Sequence, residues 1–491
     1  MIRRFLFFLL VCILIGGGTA GFWRVPRQET TWSGVVRLSS QNKAASEASL
    51  IADPYGYVHV FWAEENPDET NLILYARYDG ETWSYPVDIY ISGPNSPING
   101  IAPFVDAYGT LHVMWAEGLF PKFMRYTYAP ALDALSSANW AKPNQIRLQA
   151  DQLDFLVDDQ GIFHVLFGMN NAAGRGVFYA QSRDQAVTWS SPLWLDPDNP
   201  SELLPAKITF AFDDAGGMHA VWFYKAFEES NGDWVRYIQS LDQGQTWSKP
   251  FTIAKNSEGD DELNAFASPV MAVSGQTIHV IWAGGDLLYR HHRYSPDGGN
   301  TWSDTTRILG DLNGQAGDGL IIDGMGRPHY FAQIRFPVGI YHTYLDEDHW
   351  TFPQMIYFIR FGNTDKSDER IEAHATYPAI RLGNQVILTF TDPPPEDNRG
   401  LFVMTTTLKN IPPVAPITPL QPDLTETPDP TAAAETDNSS QGDPLTPTQT
   451  AIPGDTTPSK VGSPNLALVW GMIVSLVLVI GVLAYRQFSR S

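Results

Sequence analysis

The sequence predicts an all-β fold, a β-propeller of four-stranded antiparallel blades, followed by one C-terminal transmembrane helix. Three observations carry this expectation. A strand motif recurs about every 50 to 60 residues along the chain. Trp, Tyr, Val and Ile are abundant in short runs that show almost no helical periodicity. A Thr-Trp element that ends each repeat stands alone near the N-terminus, whereas the last repeat lacks one.

The recurring motif is Asp-x-x-Gly followed by an apolar strand containing His-Val-x-Trp. Its copies run from Asp53 to Trp62, Asp106 to Trp115, Asp158 to Phe167 and Asp213 to Trp222. Weaker copies run from Gly275 to Trp282, from Asp323 to Ala332 and from Gly383 to Phe390, the last without its histidine. The spacing suits a blade of four short strands joined by turns. In the first unit these strands, A to D, are expected at 49–52, 57–63, 72–78 and 82–91.

A second motif lies between strands C and D. Ser240, Asp242, Gly244, Thr246 and Trp247 follow the spacing Ser-x-Asp-x-Gly-x-Thr-Trp, as do Ser295, Asp297, Gly299, Thr301 and Trp302. Ser182, Asp184, Thr188 and Trp189 keep it with Ala186 in place of the glycine, and Asp79, Gly80, Thr82 and Trp83 form a copy one residue shorter. A hairpin turn explains each choice. The Asp carboxylate accepts backbone N–H groups across the turn, the Gly permits φ > 0, and the Trp packs beneath. In these turns the chain resembles the Asp-box (BNR repeat) propellers, whose best-known members are the sialidases. The resemblance covers the repeated region and implies a fold, because in that family the Asp-box is a structural turn.

The Thr-Trp element counts the blades. It occurs at Thr31-Trp32, Thr82-Trp83, Thr188-Trp189, Thr246-Trp247 and Thr301-Trp302, with degenerate forms at Asn139-Trp140 and His349-Trp350. The first copy has no strands A to C before it, and the strands at about 375–408 have no strand D after them. Closure by residues 31–38 gives seven blades; six, the number in sialidases, is the alternative.

The rest of the chain reads as packaging. Arg3 and Arg4, the apolar run from Phe5 to Ile15, and the small Gly18 and Ala20 form a secretory signal over residues 1–20, with an uncleaved signal anchor as the alternative. The propeller is expected at 29–410, a Pro/Thr-rich disordered stalk at 411–464, a transmembrane helix at 465–485 and a cytoplasmic tail at 486–491. Residues 466–485 carry no charge and reach about 30 Å as a helix, one hydrocarbon thickness. Arg486 and Arg490 then fall on the inner side, leaving the propeller extracellular at the cell membrane. The only cysteine, Cys12, lies in the signal, so disulfides and cysteine–metal sites are excluded from the mature region. A net charge of −22 disfavours nucleic acid as a partner.

Topology places the A–B and C–D turns on one face and the B–C and D–A loops on the other, where sialidase-like propellers keep their active site. Five residues beyond the repeated His position stand Glu64, Glu117, Met169, Tyr224, Gly284, Ile334 and Asp392, expected to ring the central mouth. Glu64, Glu117 and Asp392 are the candidate carboxylates for glycan hydrolysis, with solvated rim charges as the bland alternative. Tyr224 and Arg335 are candidate ligand-binding residues. Sialidase resemblance would imply three converging arginines, a Tyr nucleophile with its Glu, and an Asp acid/base. The sequence supplies Arg175, Arg335, Arg360, Arg370 and Arg399 near the loop face, in blades that do not match that pattern. No cofactor is expected, although acidic loops such as Asp261-Glu262 could hold calcium. The six repeated histidines are expected to be structural, since equivalent positions in packed sheets lie about 10 Å apart, too far for one metal. The sequence therefore points to a surface module recognising an extracellular glycan or surface protein, with an exo-acting, sialidase-like glycoside hydrolase as the alternative.

Overall fold

The computed structural model describes residues 31–171, 174–199, 203–226, 232–255, 268–285, 287–314, 317–358, 376–392 and 400–420. The expected signal, the stalk beyond 420, the transmembrane segment and the tail lie outside them. Among the described residues no helix is long and apolar enough to cross a membrane.

Seven antiparallel sheets form the seven-bladed propeller. The chain opens with β1 (Val36–Arg37). Blade one is β2 (Ala45–Ala52), β3 (Val58–Glu65), β4 (Asn71–Tyr78) and β5 (Val87–Ile91). Blade two is β6 (Ile98–Val105), β7 (Thr110–Glu117), β8 (Phe123–Pro130) and β9 (Asn144–Gln149). Blade three is β10 (Gln152–Val157), β11 (Phe163–Asn171), β12 (Gly174–Ser182) and β13 (Leu193–Trp194). Blade four is β14 (Leu203–Phe212), β15 (Met218–Ala226), β16 (Gly232–Ser240) and β17 (Phe251–Lys255). Blade five is β18 (Val270–Ser274), β19 (Thr277–Gly284), β20 (Tyr289–Ser295) and β21 (Thr306–Arg307). Blade six is β22 (Gly319–Ile322), β23 (Pro328–Arg335) and β24 (Val338–Asp346), with its outer edge shared by β25 (His349–Trp350) and β26 (Gln354–Tyr357). Blade seven is β27 (Thr376–Arg381), β28 (Gln385–Asp392) and β29 (Gly400–Thr407), completed by β1. The ends of the ring thus share one sheet, Val36 facing Val403 and Arg37 facing Phe402.

The innermost strand of each blade touches that of the next, in the order β2, β6, β10, β14, β18, β22, β27 and back to β2. The second strands lie behind them and form the core. Trp62, Trp115, Trp222 and Trp282, at one repeated position, are fully buried. This corrects the expectation that the ends of the second strands ring the central mouth. Glu64, Glu117, Met169, Tyr224, Gly284 and Ile334 are all buried, because the innermost strand stands between them and the channel.

In blades one to four the histidine repeat makes a relay that ties the strands of the blade together. In blade one His59 Nε2 meets Asp53 Oδ2 at 3.1 Å and His59 Nδ1 meets the Tyr75 hydroxyl at 2.8 Å. The carboxylate can only accept, so Nε2 carries the proton and the Tyr hydroxyl donates to Nδ1. Asp53 Oδ1 also accepts the N–H groups of Tyr55 and Tyr57, fixing the A–B turn. Blades two, three and four repeat this with Asp106–His112–Tyr126, Asp158–His164–Tyr179 and Asp213–His219–Tyr237. Burial lowers the pKa of His59, His164 and His219, with the Asp partner opposing, so these imidazoles are held neutral.

The C–D turns lock neighbouring blades together. Asp242 Oδ1 accepts from Thr246 N at 2.8 Å and from the Ser240 hydroxyl at 2.9 Å; Asp297 holds Thr301 N and Ser295 in the same way. Asp184 repeats the pattern, and the shorter turn has Asp79 Oδ1 accepting from Glu81 N and Thr82 N. Thr hydroxyl and N–H bonds hold Asp79, Asp184, Asp242 and Asp297 below the ordinary carboxylate pKa. In the full-length turns the tryptophan reaches the relay of the preceding blade: Trp247 lies 5.0 Å from Tyr179 and Trp302 lies 4.9 Å from Tyr237, whereas Trp83 of the shorter turn stacks on Tyr78 of its own blade. Trp189 packs in the cluster that contains Tyr126. Glycine is required here for space as well as for φ. A Cβ on Gly244 (φ +80) would stand 2.0 Å from the Tyr179 hydroxyl, and one on Gly299 (φ +88) 2.0 Å from that of Tyr237.

Residues 411–420, expected to begin a disordered stalk, instead form an extended strap over the A–B turns. Val414 N donates to Leu382 O at 2.9 Å, Ile417 N to Pro54 O at 3.0 Å and Leu420 N to Ala107 O at 3.0 Å. The three acceptors belong to blades seven, one and two. A stretch rich in proline cannot build a core of its own, but its extended backbone can lie along one already built. Arg381 of blade seven strengthens the same seam, donating to Gly56 O at 2.6 Å and to Asp79 O at 3.1 Å in blade one.

Candidate functional site

The loop face holds the predicted carboxylates at the ends of β3 and β7. Successive side chains on a strand alternate between faces, so Glu64 lies on the same face as Trp62, and Glu117 on the same face as Trp115. The Trp62 indole donates to Glu64 Oε1 at 2.9 Å, and Ser40 N donates to the same oxygen at 2.9 Å. Glu64 Oε2 is buried without a hydrogen-bond partner among the described residues. Glu117 accepts from three hydrogen-bond donors and lies in an ion pair with a fourth group, Arg125. Tyr90 donates to Oε2 at 2.6 Å, Trp115 to Oε2 at 3.4 Å and Ser96 to Oε1 at 3.1 Å, while Arg125 Nε pairs with Oε2 at 2.9 Å. Neither carboxylate is a solvated rim charge: Glu64 is 1% exposed and Glu117 6%. The Asp392 side chain lies outside what the structure describes.

Tyr224 is fully buried, and burial, aided by the nearby Asp196 carboxylate, raises its pKa well above the ordinary phenol value. Arg335 is exposed at the tip of the β23–β24 hairpin, its guanidinium 5.6 Å from the Phe336 ring. Arg175 donates to Asn170 Oδ1 at 3.0 Å. Arg360, Arg370 and Arg399 lie outside the described residues, as do Asp261 and Glu262. Among the described residues no group of three His, Cys, Asp or Glu side chains is placed to hold a metal ion.

Three arginines that the sequence reading passed over are more telling. Arg125, Arg236 and Arg290 stand on the third strands of blades two, four and five, each against a carboxylate. Arg236 pairs with Asp196 through two bonds of 3.1 Å. Arg290, fully buried, donates to Asp318 Oδ2 at 2.6 Å and also to Gly314 O and Gln333 O. The Tyr330 hydroxyl donates to the same Asp318 oxygen at 2.5 Å. In Arg236 and Arg290 the bidentate guanidinium–carboxylate geometry consumes donors that would otherwise clamp an anionic sugar.

Polar residues from the innermost strands lie beneath this face. A β-bulge recurs in β2, β6 and β14, and places Glu47 (φ 51), Gly100 (φ 59) and Lys207 (φ 49) in the left-handed region, each six residues before its turn aspartate. Glu47 accepts Gly100 N at 2.7 Å, joining blades one and two, and Gln152 accepts Lys207 N, joining blades three and four. The Lys207 ammonium lies 5.8 Å from the Tyr377 ring of blade seven. Burial lowers its pKa, opposed by Glu47 and Asp318. Asp154 accepts Phe210 N and Phe155 N at 2.9 Å each, yet burial pushes it up to about 7. A sequence signal for these residues did exist, in the fixed offset from the turn aspartate.

No family model matches the chain, and no curated protein does. Solved structures are similar in fold. A protein of unknown function from Dyadobacter fermentans is 15% identical, with 77% of this chain and 100% of that one covered and a TM-score of 0.45. A polysaccharide lyase of family PL25, an ulvan lyase, is 10% identical, covering 76% of this chain and 95% of its own, with a TM-score of 0.49. The Trypanosoma rangeli sialidase in complex with DANA is 11% identical, covering 76% and 58%, with a TM-score of 0.40. With every one of these TM-scores below 0.5, fold and activity alike are argued from the residues of this chain.

The exposed part of the loop face is apolar as well as acidic. Leu119 and Phe120 in the β7–β8 hairpin are 65% and 69% exposed, and Phe336 in the β23–β24 hairpin is 60% exposed. Leu287 in the β19–β20 hairpin and Phe358 after β26 are also exposed. Exposed Glu65, Asp68 and Glu69 occupy the β3–β4 hairpin.

Proposed function

We propose that this chain is a cell-surface recognition propeller that binds an extracellular glycan or surface protein through the face made by the β7–β8, β19–β20 and β23–β24 hairpins. One observation carries the reading: Glu117 and three of the arginines at that face already have partners within the fold. Glu117 is held by three hydrogen-bond donors, and Arg125, Arg236 and Arg290 are each paired with a carboxylate. Outward on the same face stand Leu119, Phe120 and Phe336, side chains suited to stacking on a sugar ring or an apolar partner surface. Export and a C-terminal membrane anchor belong to the same proposal.

A second reading, an exo-acting glycoside hydrolase, is favoured by the unpartnered Oε2 of Glu64. The experiment that separates the two uses the full-length chain in detergent, tested on a glycan array and against fluorogenic sialosides and neutral glycosides. Binding that Phe120→Ala or Phe336→Ala weakens about tenfold, without release of fluorophore, fits recognition. Turnover abolished by Glu64→Gln replaces it with the hydrolase.

A further inference from the structure

The opposite face, made by the A–B turns, carries a repeated docking unit of its own. Val414, Ile417 and Leu420 are three residues apart, and each donates its N–H to the second residue of an A–B turn, Leu382, Pro54 and Ala107 in successive blades. A proline precedes each of them, Pro413, Pro416 and Pro419. The register has a physical basis. A polyproline II segment advances about 9.3 Å in three residues, and packed sheets stand about 10 Å apart. One triplet therefore spans one blade.

Each occupied unit also has a glycine under the strap. A Cβ on Gly56 would come within 3.7 Å of Pro416, one on Gly109 within 3.0 Å of Pro419, and one on Gly383 within 3.2 Å of Val414. Blades three and four repeat the unit with Gly161 (φ +76) and Gly216 (φ +82), and among the described residues nothing lies within 4 Å of a Cβ built on either. Their second turn residues are Asp159 and Asp214, both exposed, where the strapped blades have Leu382, Pro54 and Ala107. The two units that no described residue covers are acidic.

We propose that the A–B turns of blades three and four dock a polyproline II peptide from a partner protein, with proline at every third position and a lysine or arginine after each proline. The peptide lies as the strap lies on blades seven, one and two. Its N–H groups bond the carbonyls of Asp159 and Asp214, its prolines cover Gly161 and Gly216, and its basic side chains meet the two exposed carboxylates. The strap supplies the geometry, and charge complementarity supplies the selectivity between a basic partner and a second neutral strap.

The test uses the full-length chain and a fluorescein-labelled peptide of four Pro-Lys-Ala triplets, read by fluorescence anisotropy. A peptide of the same composition with its prolines out of the three-residue register is the control. The expected result is at least tenfold tighter binding of the in-register peptide, with the Asp159→Asn/Asp214→Asn double variant weakening it about tenfold at an unchanged melting temperature. Both residues are exposed, so the variant tests docking rather than folding. Equal binding of the two peptides would overturn the proposal, because charge alone would then account for it. Binding that appears only after residues 421–464 are exchanged for a Gly/Ser linker also overturns it, since the chain's own continuation would then be the occupant.

Discussion

Blades one to four and blades five and six solve the same packing problem with different side chains. In the first group each buried histidine sits between a turn aspartate and a strand-C tyrosine. In blade six the tyrosine is replaced by His342, whose Nε2 lies 3.0 Å from His329 Nδ1, while Asp323 keeps its place at 3.0 Å from His329 Nε2. The hydrogen bonds from His329 and Arg327 overcome the upward push of burial and bring Asp323 down to about 2. Blade five has lost the aspartate too. There the Trp350 indole donates to His292 Nδ1 at 3.2 Å, which leaves the proton on His292 Nε2 to reach His279 Nδ1 at 3.1 Å. Where a histidine stands at this position its Nδ1 meets a donor, and tyrosine is only one way to provide that donor.

Four outcomes would break or sharpen this comparison, beginning with the largest. Gly299→Ala forces a Cβ into the Tyr237 hydroxyl of blade four and should cost about 3 kcal/mol in a denaturant titration. Ala186→Gly, at φ 64 in the turn that lacks glycine, should gain about 1 kcal/mol by the same measurement. If the two variants shift stability in the same direction, the interblade lock is not what the glycine provides.

Asp213→Ala removes the acceptor for Ala215 N, Gly217 N and His219 and should cost about 2 kcal/mol. Blade five folds without an aspartate there, so a negligible loss would mean that the relay in blade four is equally dispensable.

Acid should strike blade five through its His pair. Burial holds His279 at about 4 and His292 at about 3, below the ordinary imidazole value of about 6.5. The unfolded chain then binds more protons as the pH falls, so this contribution is intact above about pH 6.5 and is lost as the pH drops toward 4 and 3. His292→Tyr, which restores the blade-four pattern, should flatten the acid slope of stability by up to about 1.4 kcal/mol per pH unit. An unchanged slope between pH 6.5 and 4 would assign the acid sensitivity elsewhere. The smallest effect is expected from Pro419→Ser in the strap, about 0.5 kcal/mol, read as a small fall in the denaturant midpoint.

Much of the fold is readable in the residues. Asp53, His59 and Trp62 recur at fixed offsets, and the displaced Thr31-Trp32 foretells that β1 completes blade seven. The site is less legible, because burial in a propeller depends on which strand lies inside. Glu64 and Glu117 look like rim charges by counting from the histidine, but sharing a strand face with Trp62 and Trp115 draws them into the core. The partners of the histidines, Tyr75 to Tyr237, are separated from them by 14 to 18 residues and follow no fixed offset. The strap was hidden by composition. A proline-rich stalk and a proline-rich strap have the same residue content, and only the three-residue spacing of Pro413, Pro416 and Pro419 tells them apart.

That strap changes how the ring would bear a load. The covalent ends of the propeller meet in blade seven, where β1 offers only two paired residues. A chain leaving from β29 would peel that blade away one bond at a time. Because the chain instead runs on to Leu420, on blade two, a pull at that residue strains three main-chain bonds in shear before any tension reaches the seam, and Arg381 holds the seam from the side. A load applied at Leu420 is thus borne by three blades together.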